Sequence, residues 1–104
     1  MVPINKVKEI IIKHDDLEKE LSSGNIDPKI FAKKSKEYSN LGKIIKIARE
    51  YINFENEKDD LLNMVQDKNN DKEIVELAQK DLDELIKKKE TNENNLKLFL
   101  LPKD

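Results

Sequence analysis

In the stretch Val75-Glu-Leu-Ala78-Gln-Lys-Asp-Leu82-Asp-Glu-Leu85-Ile-Lys-Lys-Lys89-Glu-Thr-Asn92-Glu-Asn-Asn-Leu96-Lys-Leu-Phe99, each numbered position follows the last by three or four residues, after Val75 in strict alternation. That spacing puts all eight on one stripe of an α-helix and is the heptad pattern of a coiled-coil seam. Lys89 and Asn92 are polar interruptions in its middle. Asp71 is placed to cap the helix and Pro102 to stop it, so the reading predicts a helix over residues 71–100.

Upstream, Asp67-Lys68-Asn69-Asn70 has no periodicity and is turn-like. A connection this short folds the next helix back antiparallel. That partner begins at Asp27-Pro28, a cap followed by a proline suited to a first turn. Phe31, Tyr38, Leu41, Ile45, Ala48 and Ile52 keep the helical spacing, with Lys34 in the gap, and Phe54, Leu61 and Val65 continue with drift. A continuous helix over 28–66 would be about 58 Å long at about 1.5 Å per residue. Ser39, Asn40 and Gly42 are poor interior residues, so a kink or short break is expected near residues 40–42. A first helix over about 4–23 follows from Val7, Ile10, His14, Leu17 and Leu21, with Pro3 before it and Gly24 after it. The expected fold is all-α: one domain over 1–104, a long antiparallel, coiled-coil-like helical hairpin with an additional N-terminal helix packed on its base. Leu41, Ile45, Ala48 and Ile52 should face Leu85, Leu96 and their neighbours.

Composition agrees with helices sharing a thin seam. Of 104 residues 37% are hydrophobic and 40% charged, and there is no Trp. No Cys is present, which excludes disulfides and thiolate metal sites. No stretch approaches the roughly 20 apolar residues of a membrane span. Val7 to Ile12 is interrupted by Lys8 and Glu9 and has no small-residue cleavage site behind it, unlike a signal peptide. The expectation is a soluble, cytoplasmic protein.

Catalytic chemistry finds no constellation. The single His14 sits on an apolar stripe beside Asp15 and Asp16, which reads as a partly buried structural histidine. Asp59, Asp60, Asp81, Asp83 and Glu84 read as solvated helix faces, with no calcium-loop spacing. Gly24 and Gly42 are the only glycines, too few for a phosphate cradle. No catalytic residue, metal, cofactor or small-molecule substrate is expected.

The formal charge of -2 hides an asymmetry: residues 29–49 hold seven bases against Glu37 alone, a net +6, while residues 50–86 carry a net -8. Lys33, Lys36, Lys43 and Lys46 are the candidate interaction surface, a solvated basic edge that guides encounter with RNA or an acidic partner. Phe31 and Tyr38, interleaved with these bases, are expected to face the helical seam rather than stack on bases.

Three segments carry a resemblance. Phe31-Ala-Lys-Lys-Ser-Lys-Glu-Tyr-Ser-Asn-Leu41 resembles the Ser-Lys/Arg-Glu-Tyr-x-x-Leu segment of bacterial-type class 1 peptide chain release factors. Asn70-Asp-Lys-Glu-Ile-Val-Glu-Leu-Ala-Gln79 resembles their Asp-Pro-Glu-Met-x-x-Leu-Ala segment, with Lys72 where the family usually has Pro. Leu98-Phe-Leu-Leu-Pro-Lys-Asp104 resembles the Leu-Leu-Leu-Leu-Pro-Lys-Asp that ends the N-terminal helical domain of the type reading UAA and UAG. The resemblance implies a non-catalytic N-terminal module of a larger factor acting in translation termination. Its implied partners are the ribosome, at the large-subunit stalk base and its rRNA, and the class 2 release-factor GTPase. The family's codon-reading loop and Gly-Gly-Gln hydrolysis motif have no counterpart here, so no catalytic residue carries over. The heptads alone would equally suit a free-standing coiled-coil scaffold.

Overall fold

A computed structural model describes residues 1–102; Lys103 and Asp104, the last two residues of the Leu-Pro-Lys-Asp segment, lie outside the described residues. Four helices follow one another: α1 (Ile4–Ser23), α2 (Pro28–Gly42), α3 (Ile45–Gln66) and α4 (Lys72–Leu100). No strand occurs among the described residues. The principal extents are 61 × 32 × 19 Å and the radius of gyration is 18.4 Å. A compact chain of about 100 residues would have about 13 Å, so the molecule is elongated.

Local chemistry accounts for the boundaries. The Pro3 carbonyl accepts from the Lys6 and Val7 amides to open α1, and Gly24 closes it at φ 74°, a left-handed position that glycine adopts without strain. Asp27 caps α2 by accepting the Lys29 N–H at 2.9 Å, with Pro28 in the first turn. At the far end of α3, the Asp67 carboxylate accepts the Asn69 N–H and the Asn70 side-chain amide donates to the Met64 carbonyl, both at 2.9 Å. These two bonds shape the hairpin tip. Asp71 precedes α4 but its side chain makes no capping bond; only its carbonyl serves, accepting from Val75.

The break between α2 and α3 lies at Lys43–Ile44, just past the expected residues 40–42. There the helix tightens into i to i+3 bonds, Lys43 to Asn40 and Ile44 to Leu41. Ile44, at φ -117° and ψ -10°, starts the next helix with its carbonyl accepting from Ala48. Leu41, Ile44, Ala48 and Tyr51 form the buried line across the break, with Ala48 buried as expected. Ile44 and Tyr51 take the buried positions expected for Ile45 and Ile52, which are only half-buried.

The α3–α4 pair forms the hairpin. α1 packs on α3 and on α2, at the base. One core gathers there: Val2, Val7, Ile10, Leu17, Leu41, Ile44, Ala48, Tyr51 and Leu96, flanked by Ile11, Tyr38, Ile47, Ile52 and Phe99. Val2, ahead of the first helix, is pinned by Tyr51, whose hydroxyl donates to the Val2 carbonyl at 3.0 Å and accepts its N–H at 3.3 Å. On α4, Ala78, Leu82, Asn92 and Leu96 are buried and Val75, Leu85, Lys89 and Phe99 half-buried, so the whole heptad stripe faces inward.

The two polar interruptions have partners. Asn92 is buried and donates to Glu50 at 3.0 Å across the hairpin, where Lys88 also pairs with Glu50 at 3.1 Å. Burial alone would raise the Glu50 carboxyl; the bonds from Asn92 and Lys88, with the Lys46 charge, outweigh it and hold Glu50 below the ordinary carboxylate value. A polar pair inside an otherwise apolar seam disfavours register slips, which would leave both groups unpaired. Lys89 lays its ammonium over the Phe54 ring, 4.6 Å from the centroid.

Candidate interaction surface

The basic run divides by what its cations face. Lys34 pairs with Glu20, and Arg49 donates to Asp15 at 2.7 Å, so both tie the second and third helices to α1. The position of Lys34 in the gap of the apolar stripe was the available signal that it turns inward. Glu37, the one acid in the run, pairs with Lys13. His14, Tyr38 and Asp15 complete this junction. The His14 and Tyr38 rings stack with centroids 4.9 Å apart, and Tyr38 donates to Glu18 at 3.1 Å. His14 Nδ1 lies 3.0 Å from Asp15. The His14 hydrogen bond, with Arg49 beside it, holds the Asp15 carboxyl below its ordinary value despite some desolvation, and the Glu18 hydrogen bond raises the Tyr38 phenol. His14 is 7% exposed, and Tyr38 packs against the core.

Phe31 departs from its expected place. It is 47% exposed, near the exposed Ile30, because α2 reaches past the end of the shared core before its first buried residue, Leu41.

Lys33, Lys36, Lys43 and Lys46 are all exposed, and none has a carboxylate within ion-pair distance among the described residues. They do not form one cluster. Lys33, Lys36 and Lys43 line a single open groove together with Glu37, Ser39 and Asn40. Lys46 stands outside that lining, on α3, where its charge acts on Glu50.

Among the described residues, His14, Asp15 and Glu18 are the potential metal ligands that come together, with ligand atoms within 4.8 Å of one another. His14 Nδ1 and Asp15 Oδ1 are engaged with each other, Asp15 Oδ1 also accepts from Arg49, and Glu18 Oε2 accepts from Tyr38. No helix of the described residues is long and apolar enough to cross a membrane.

The PCRF domain family matches residues 10–104. The chain belongs to that family. Its relatives include peptide chain release factor 1 of Pelagibacter ubique, 51% identical over 104 residues, covering 100% of this chain and 29% of the relative. The protein of the same name from Rhizobium rhizogenes is 32% identical over 103 residues, covering 99% of this chain and 28% of the relative. That from Rickettsia bellii is 34% identical over 100 residues, covering 96% and 28%. The PCRF chain thus spans under a third of the length of these curated relatives. No solved structure matches it.

Proposed function

We propose that the chain serves translation termination as the N-terminal, non-catalytic module of a stop-codon-dependent peptide chain release factor in the cytoplasm. The observation that carries this reading is the match to peptide chain release factor 1 along the whole chain at 51% identity. On this reading the module positions the factor by touching the ribosome, at the large-subunit stalk base, and the class 2 release-factor GTPase. The acidic hairpin arm and the basic edge give the module opposite charge at its two ends, which orients a molecule during encounter and raises its association rate.

The test uses the full-length factor. Changing Lys33, Lys36, Lys43 and Lys46 together to Glu should slow ribosome association at low salt, and added salt should shrink the difference. Stop-dependent peptidyl-tRNA hydrolysis by a saturating amount of factor should survive the change. Association rates equal to the parent's across a salt series, with helicity intact, would overturn the role of these lysines. Stop-dependent hydrolysis by the 104-residue chain alone would overturn its non-catalytic character.

A further inference from the structure

The arm carries a groove of its own, on one flank of the α3–α4 seam. Its floor is Leu61 and Leu85, both half-buried, and its rims are Glu57 and Asp60 of α3 and Asp81 and Glu84 of α4, all exposed. Helical spacing carries the groove toward the tip. Ile74, Leu77, Asp81, Glu84 and Lys88 recur at 3-4-3-4 and so lie along one flank of α4, while Met64 follows Asp60 and Leu61 by four and three residues on α3. Beyond the carboxylates both sides are thus apolar and open: Met64 is 42% exposed, Ile74 40% and Leu77 60%. From Ile74 to Lys88 the strip is about 21 Å long at about 1.5 Å per residue, the length of a helix of about 14 residues. Two helices leave such a flank uncovered and a third closes it into a bundle. Charge selects the occupant. None of the four rim carboxylates has an ion-pair partner among the described residues. Lys88, the one cation of the lining, is held by Glu50 at 3.1 Å. The groove therefore repels RNA and anionic lipid, and a second copy laid flank to flank would set carboxylates against carboxylates. An apolar ridge with cations on both sides fits it, the ridge on Leu61, Leu85, Met64 and Leu77 and the cations at the two rims.

We infer that this flank of the arm docks a lysine- or arginine-rich amphipathic helix of a partner protein, which completes a three-helix bundle along α3 and α4. The apolar strip supplies the affinity. The rim carboxylates speed encounter and turn away acidic helices. The groove is separate from the lysine row of α2, and nothing in this docking depends on the proposed function.

The experiment titrates a fluorescently labelled helical peptide of about 18 residues, with Leu at heptad positions a and d and Lys at e and g, with the 104-residue chain. Anisotropy is followed from about 20 to about 200 mM salt. The peptide should bind, more tightly at low salt. The variant E57Q/D60N/D81N/E84Q should lose about tenfold or more in affinity at low salt and most of the salt dependence, four weak ion pairs being removed together. M64Q/L77Q should lose about fivefold or more at every salt concentration and keep the parent's salt dependence. K33Q/K36Q/K43Q should match the parent. Circular dichroism checks that each variant stays helical; the substituted side chains are exposed, so the fold does not rest on them. Failure of the parent to bind at low salt, or either groove variant equal to the parent, would overturn the inference. Equal binding of a peptide with Ser in place of every Leu would overturn it too, in favour of charge alone. So would a dimer in sedimentation that M64Q/L77Q dissociates and the peptide does not, in favour of a second copy.

Discussion

The base and the arm of this molecule are built from the same heptads and end with different interiors. At the base, four helices and the residues ahead of α1 converge on one core in which Val7, Ala48 and Leu96 are fully buried. Along the arm α3 and α4 have only each other. Ala78 and Leu82 at the centre of the stripe are buried there, but Leu61, Leu62, Val65, Val75 and Leu85 are half-buried, and Met64, Ile74 and Leu77 are exposed. The lesson is that periodicity says which way a side chain points, while the number of neighbours says how much water it loses. Two helices cover a stripe; a third is needed to cover its flanks.

The largest expected effect sharpens this contrast. Leu96→Ala should cost about 2–5 kcal/mol in urea melts, since Leu96 is 0% exposed in the core. The same change at the half-buried Leu85 should cost about half as much or less. Equal costs would mean that base and arm are equally well packed, and the contrast would fail. Next comes Tyr51→Phe, which leaves the buried Val2 N–H and carbonyl without their partner. It should cost about 1–3 kcal/mol in thermal melts and speed amide exchange at Val2. A melt identical to the parent's would show that the N-terminal residues do not contribute to the base.

Smaller effects follow from charge. Asp15, lowered first by His14, and Glu93, lowered first by the N-terminal ammonium, are both at the base. A carboxyl lowered in the fold contributes stability above its ordinary value and loses it as pH falls through its depressed value. The melting temperature should therefore fall as pH drops below about 4, and Asp15→Asn should flatten that fall. A variant with the parent's slope would remove Asp15 from the account. The smallest effect belongs to the outer face of the arm: Leu77, 60% exposed, should accept Lys within about 0.5 kcal/mol. A larger loss would reveal a covering partner, such as a second copy, detectable by sedimentation.

The stripe of α4 was legible because its spacing runs unbroken from Val75 to Phe99 and the structure turns all of it inward. The stripe of the partner helix was legible in part: Leu41 and Ala48 are buried as expected and Ile45 and Ile52 half-buried, while Phe31 is exposed. Two lines of apolar residues offered helical spacing past Leu41, one through Ile45 and Ile52 and one through Ile44 and Tyr51, and only the packing of α1 and α4 decides that the second is the more deeply buried. Val2 and Tyr51 were missed for a related reason: their burial depends on two segments 49 positions apart meeting at one hydroxyl. The basic segment was visible as a sum of charges. Which cations the fold consumes is a tertiary fact, and Lys34 and Arg49 are taken up in ion pairs only because α1 brings Glu20 and Asp15 to them. Lys33, Lys36 and Lys43 could be grouped by helical spacing; the separation of Lys46 needed the break.

The arrangement of helices also makes the molecule a lever. From Phe54, the last buried side chain of α3, the helix runs 12 more residues to Gln66 with no third helix beside it. That is about 18 Å of reach at about 1.5 Å per residue, so a tilt of about 10° at the root carries the tip about 3 Å, the length of a hydrogen bond. The aim of the Asp67–Asn70 tip is therefore set far from the tip itself, by the fit of α1 against the root of α3. A substitution buried at the fulcrum can blunt the molecule's reach while leaving every residue of the arm in place.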